Sequence, residues 1–142
     1  MFRAEKGSGA FCNDTPIHVS AFPLEQALIE FGSSPYHTEL NEITGHTLGV
    51  LLSRTADIRR SGAAVYDLCM LASGRSEGMF EWLLQPWDYC AGTLLVEEAG
   101  GQAGNIFGGP VTFDDGIPYM AANAVCFEPL QQLLQKLWRN EL

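Results

Sequence analysis

Trp87 to Gly101, WDYCAGTLLVEEAGG, is the stretch whose residue types and spacing are best suited to chemistry. Asp88 stands where the pattern opens a helix, and free backbone N–H groups and the positive end of a helix dipole favour a carboxylate there. Ala91 and Gly92 keep the first turn slim enough for another group to approach closely. Leu94, Leu95, Val96 and Ala99 bury the far side, and Gly100-Gly101 stops the helix. A carboxylate so placed either caps the helix or ligates a cation, and capping is the commoner role. In RRSGAAVYDLCMLASG, Gly62 lets the backbone come close to a ligand at a second helix start, or only turns a strand tightly into a helix. Glu81, seven residues before Asp88, is a hydrogen-bond acceptor for a ligand or stands as a solvated strand residue.

Other constellations are weaker. Asp114-Asp115-Gly116 between apolar runs reads as a turn. Glu97 and Glu98 are adjacent on a helix and point in different directions, which suits a solvated face. His18, His37 and His46 have no ligand spacing, and neither a GxSxG elbow nor a P-loop is present. Gly7-Ser8-Gly9 is too short for a phosphate loop and reads as a strand-entry kink. Cys12, Cys69, Cys90 and Cys126 lie 57, 21 and 36 residues apart, without a CxxC pair for zinc or dithiol chemistry. Isolated thiols fit a reducing cytosol.

Alternating strands and helices must position these residues. Gly9 to Phe22 reads as two short strands around an Asn13-Asp14 turn, and residues 24 to 31 as either helix or buried strand. A helix is predicted over Tyr36 to Thr55, a strand at Asp57 to Arg60, a helix from Ala63 to Gly74, a strand at Glu77 to Leu83 and a helix from Asp88 to Ala99. Short strands near Gln102 to Ile106 and Tyr119 to Ala122 precede a closing helix from Glu128 to Asn140. On that helix Leu130, Leu133, Leu134, Leu137 and Trp138 form a stripe that reads as core packing. This alternation predicts a layered α/β fold, a sheet covered by helices.

The 142 residues suit one domain, and 46% hydrophobic with 18% charged residues supports a packed core. Eight Lys and Arg against 17 Asp and Glu give a net charge of −9, which argues against a nucleic-acid groove or an anionic membrane surface. The start MFRAEKGSGAFCND lacks the apolar run of a secretory signal, and no stretch approaches the roughly 18 apolar residues of a membrane span. A cytoplasmic protein is expected.

The segment from Trp87 to Gly101 resembles the second signature of the inositol monophosphatase family of Mg²⁺-dependent phosphatases, Trp-Asp-x-Ala/Cys-Ala-Gly through Gly-Gly, without a departure. RAEKGSGAFCN, FGSSP, RRSGAAVYDLCMLASG, GMFEWLLQPWD and YMAAN also fall in family order, so the resemblance covers nearly the whole chain. It implies the C-terminal half of the family's αβαβα fold. Asp88 is then a ligand of the catalytic Mg²⁺ cluster beside the substrate, Gly62, Ala63 and Ala64 line the substrate pocket, and Glu81 contacts a substrate hydroxyl. The family's remaining metal ligands, a Glu-Glu pair and Asp-Pro-Ile/Leu-Asp-Gly-Thr/Ser, belong to its first half, and this chain has no Asp-Pro dipeptide. One carboxylate does not hold an octahedral ion. Two readings follow. In one, the chain is a lobe of a phosphatase for a small phosphorylated polyol, completed by an N-terminal half and inactive by itself. In the other, it is a non-catalytic binding or assembly module that dimerises through the apolar face a half-fold leaves uncovered.

Overall fold

Side chains along two strands alternate between two apolar clusters, and this period of two sets a sheet at the centre of the molecule. Met79, Tyr119 and Ala121 enter one cluster, Phe80, Trp82, Met120 and Ala122 the other. A computed structural model describes all residues, 1 to 142. The elements are β1 (Phe2–Glu5), β2 (Gly9–Cys12), β3 (Thr15–Ile17), β4 (Leu28–Phe31), α1 (Asn41–Arg54), β5 (Asp57–Arg59), α2 (Ala64–Ala72), β6 (Gly78–Leu84), α3 (Pro86–Glu98), β7 (Gln102–Asn105), β8 (Ile117–Ala122) and α4 (Phe127–Trp138).

Five strands form the central sheet in the order β5-β4-β6-β8-β7. β4 runs parallel to both β5 and β6, whereas β8 is antiparallel to β6 and β7. Leu51 of α1 and Leu130, Leu133, Leu134 and Leu137 of α4 cover one face. Leu68, Leu71 and Ala72 of α2, Leu95 and Val96 of α3 and Ala99 at its end cover the other. A small antiparallel sheet, β1-β2-β3, packs Phe2, Ala4, Ala10 and Ile17 against that second helix layer. The layers therefore run helix, sheet, helix, sheet, which is the layered α/β class expected from the alternation.

α2 and α3 pack closely because Gly92 has no side chain: a Cβ there would lie 2.8 Å from Leu68 Cβ. Gly74 and Gly100 end these helices with positive φ of 73° and 92°. The Asn13-Asp14 turn adopts left-handed φ of 47° and 65°, the geometry a tight hairpin requires.

Local competition moves several boundaries. Residues 24 to 31 divide into a 3-10 turn at Leu24–Gln26 and the strand β4. The helix predicted from Tyr36 begins at Asn41, after a 3-10 turn at Thr38–Leu40, because His37 holds a non-helical backbone, φ −124° and ψ 74°. Helix α3 begins at Pro86, with extended Gln85 as its cap, so Asp88 is the third helical residue rather than the opening one. Glu98 is not simply solvated: its carboxylate accepts hydrogen bonds from Gly7 N–H and Gly9 N–H, both at 2.9 Å, and ties α3 to the β1–β2 hairpin. Trp138 leaves the apolar stripe half exposed while the four leucines are buried. No helix is long and apolar enough to cross a membrane.

Candidate active site

The parallel strands β4, β5 and β6 end on the same side of the sheet, and the segments that leave them enclose a cleft of about 550 Å³. Open α/β sheets bind ligands at this position, outside the carboxyl ends of their strands. Gly62, Ala63 and Ala64 after β5, Glu81 on β6 and Asp88 at the start of α3 all line it, so the five residues singled out in the sequence meet in one place.

Each is positioned by a local cause. Gly62 has a φ of +87°, a conformation that L side chains rarely adopt, and it turns the chain from β5 into α2. No side chain caps α2, which leaves first-turn N–H groups free at the cleft. Asp88 is half-buried, and its own N–H donates to the Gln85 carbonyl at 2.9 Å. Trp87 stands at the rim, 74% exposed.

Glu81 is only 7% exposed, which excludes the reading as a solvated strand residue. Ser34 donates its backbone N–H to Glu81 Oε1 at 2.8 Å, and the Ser34 hydroxyl lies 3.2 Å from the same oxygen. Oε2 has no hydrogen-bond partner in the chain and remains available to a ligand. Burial raises the Glu81 pKa above the ordinary carboxylate range; the Ser34 hydrogen bonds oppose the rise, and the Asp88 carboxylate adds to it.

Four cleft residues were not foreseen as parts of a site. Gly32 and Ser34 belong to FGSSP, which sequence reading treated as a chain break and a family segment. Arg60 donates to Ser33 Oγ at 3.1 Å and is the cleft's guanidinium. Asp67, 1% exposed, accepts the Ser61 hydroxyl at 2.5 Å. The available signal was position: each follows the end of a parallel strand or lies in the first turn of the next helix.

The donor set does not amount to a metal centre. No group of three His, Cys, Asp or Glu side chains is placed to hold an ion. Within the cleft, Asp67 is engaged by Ser61 and one oxygen of Glu81 by Ser34, and Asp88 is the one carboxylate that accepts no hydrogen bond from the chain. Magnesium, which the resemblance implies, does not fit this chain's residues by themselves.

A model of the inositol monophosphatase family matches residues 1–141. The chain belongs to that family. The putative Nus factor SuhB of Neisseria meningitidis serogroup B is 42% identical to it over 102 residues, covering 71% of this chain and 39% of the relative. Phosphatase IMPL1, chloroplastic, of Arabidopsis thaliana is 37% identical over 141 residues, covering 98% of this chain and 38% of the relative. The solved inositol monophosphatase of Anabaena superposes with a TM-score of 0.86 at 33% identity, over 95% of this chain and 54% of that structure. The chain thus spans about half the length, or less, of the relatives it matches.

Proposed function

We propose that this chain is the substrate-side, C-terminal lobe of an inositol-monophosphatase-like phosphomonoesterase for a small phosphorylated polyol, an inositol or sugar phosphate. The observation that carries the reading is the convergence of Gly62, Ala63, Ala64, Glu81 and Asp88 on one cleft at the carboxyl ends of β4, β5 and β6. In this reading Glu81 Oε2 accepts a hydrogen bond from a polyol hydroxyl. The uncapped start of α2 offers N–H groups and its dipole to the phosphate, and Arg60 supplies the positive charge. Asp88 contributes one carboxylate to a Mg²⁺ site whose other ligands an N-terminal half would bring. Four free thiols support a cytoplasmic setting.

The test is phosphate release from inositol monophosphate by the purified chain in Mg²⁺. The chain by itself gives none above the blank, whereas the separately expressed first half of a family phosphatase restores release, and Asp88→Asn abolishes the restored activity. Metal-dependent turnover by the chain alone, lost in Asp88→Asn, would show that it is no mere lobe.

A second reading, a non-catalytic assembly module, is favoured by the exposed face of α2 and α3. Val65, 49% exposed, lies there beside Ala91 and Leu94. The Neisseria relative bears the name of a Nus factor and not of a phosphatase. A homodimer through this face is then expected, and light scattering that shows only monomer counts against it.

A further inference from the structure

Glu30 and Asp67 are two buried acids that substrate binding leaves unexplained. Glu30 lies on β4, and its neighbours Ile29 and Phe31 pack into the cluster under α1 and α4, so its own side chain faces the α2 side of the sheet. It is 0% exposed. Ser76 donates its hydroxyl to Glu30 Oε2 at 2.9 Å, while Oε1 is buried with no hydrogen-bond partner at all. A carboxylate rarely tolerates such an orphan oxygen, because an ionised, desolvated acceptor without a donor is costly. A protonated carboxyl removes the difficulty, since its O–H is itself a donor and carries no charge.

The surrounding charges point the same way. Asp67 from α2 and Glu77 from the turn before β6 repel a second negative charge, and Arg59 of β5 is the one cation facing Glu30. Burial is the largest influence, and together these raise the Glu30 pKa to about 7. Asp67, faced by Arg60, is linked onward to the cleft: it accepts the Ser61 hydroxyl at 2.5 Å, and Ser61 Oγ accepts the Ala63 N–H at 3.0 Å. Ala63 follows the positive-φ Gly62 in the turn that lines the cleft.

We propose that Glu30, held as a neutral carboxylic acid, is a positioning residue for the cleft: it leaves Asp67 the single buried charge that anchors Ser61, and through Ser61 the Gly62–Ala64 turn. Glu30 does not line the cleft and takes no part in chemistry. Its ionisation places a second negative charge behind Asp67, weakens the Asp67 grip on Ser61 and loosens the turn. The inference rests on the turn's place in the cleft and not on what the cleft binds, so it stands or falls separately from the phosphatase reading.

The test follows the backbone amide resonances of Gly62 and Ala63 with pH in the purified chain. In the unmodified protein both show a transition with a midpoint near 7. In Glu30→Gln, which keeps the shape without the charge, that transition is lost from both amides. Amides without a transition near 7 in the unmodified protein, or one that survives in Glu30→Gln, would overturn the proposal. Ser61→Ala provides an independent reading, needed if Glu30→Gln fails to fold. In that variant the Glu30 carboxyl carbon still titrates, but the Gly62 and Ala63 amides no longer follow it. If they follow it as before, the route through Ser61 is wrong.

Discussion

A side-chain carbon on Gly32 would fall on the carboxylate of Glu81. Gly32 directly follows β4 and Glu81 lies on the neighbouring β6, with Gly32 N–H donating to the Phe80 carbonyl at 3.0 Å, and the missing side chain is what lets Glu81 fold back to meet Ser34. The glycine is therefore a condition of the acid's place in the cleft.

Gly32→Ala should destabilise the chain by about 1–3 kcal/mol, the usual cost of overpacking a filled site. Urea denaturation measures it. In the double variant with Glu81→Ala the cost of the added methyl should largely vanish, since the group it strikes is gone. Strictly additive effects would show that the two residues do not compete for one space.

Glu30 makes stability depend on pH. Its folded pKa of about 7 exceeds the ordinary 4.5, so the folded state binds its proton more tightly than the unfolded state. The stabilisation is complete below about pH 4.5, falls as pH rises through the window to about 7, and levels off above it. The loss is on the order of 3 kcal/mol at most. Asp67 and Glu81 are shifted the same way and Glu98 the opposite way, so the difference between the unmodified chain and Glu30→Gln, measured by denaturation across that window, isolates Glu30. A constant difference would contradict the assignment.

Asn123 is fully buried and satisfies four groups at once. Its amide donates to Ser20 Oγ at 3.1 Å and the Phe22 carbonyl at 3.0 Å, and its oxygen accepts from Val125 N–H at 3.0 Å and Cys126 N–H at 2.7 Å. Asn123→Ala strands these partners and should cost roughly 2–4 kcal/mol in chemical denaturation, more than an exposed helix cap is worth. A loss under about 0.5 kcal/mol would mean that water replaces the amide at little cost.

Glu98 anchors the β1–β2 hairpin through Gly7 and Gly9, and these N–H groups hold its pKa below the ordinary carboxylate range. Glu98→Ala should speed hydrogen exchange at both glycine amides while leaving exchange in β6 and β8 unchanged. In the unmodified chain the protection is present at neutral pH and is lost as pH falls through that depressed pKa. Equal exchange in both proteins would remove the anchor.

What could be read in the sequence was what repeats or is punctuated. The leucine stripe of α4, the glycine stops at Gly74 and Gly100 and the Asn13-Asp14 turn correspond to single physical causes and lie where they were expected. Asp88 was singled out from a motif and Gly62, Ala63, Ala64 and Glu81 from the wider family resemblance, and the structure brings all five to one cleft. Long-range pairing was hidden. Nothing local in Gly32 or Ser34 tells that Glu81, 47 residues beyond Ser34, needs the space of one and the N–H of the other. Glu30 sits in an apolar run whose two possible structures differ in which face the acid takes, and its burial depends on Ser76 and Asp67 from later elements. Glu98 looked solvated because its partners lie 91 and 89 residues away.

β8 lies between β6 and β7 although it follows both in the chain. On a ribosome, β6 and β7 emerge first, and the edge that each will offer to β8 stays open until residues 117 to 122 arrive. An interior strand of the sheet is thus the last one laid down, and the nascent chain carries an unpaired β6 edge from residue 84, joined by that of β7 from residue 105, until β8 arrives, a state prone to pairing with other chains. Translation that stalls before Ile117 should yield a client for chaperones rather than a smaller folded protein.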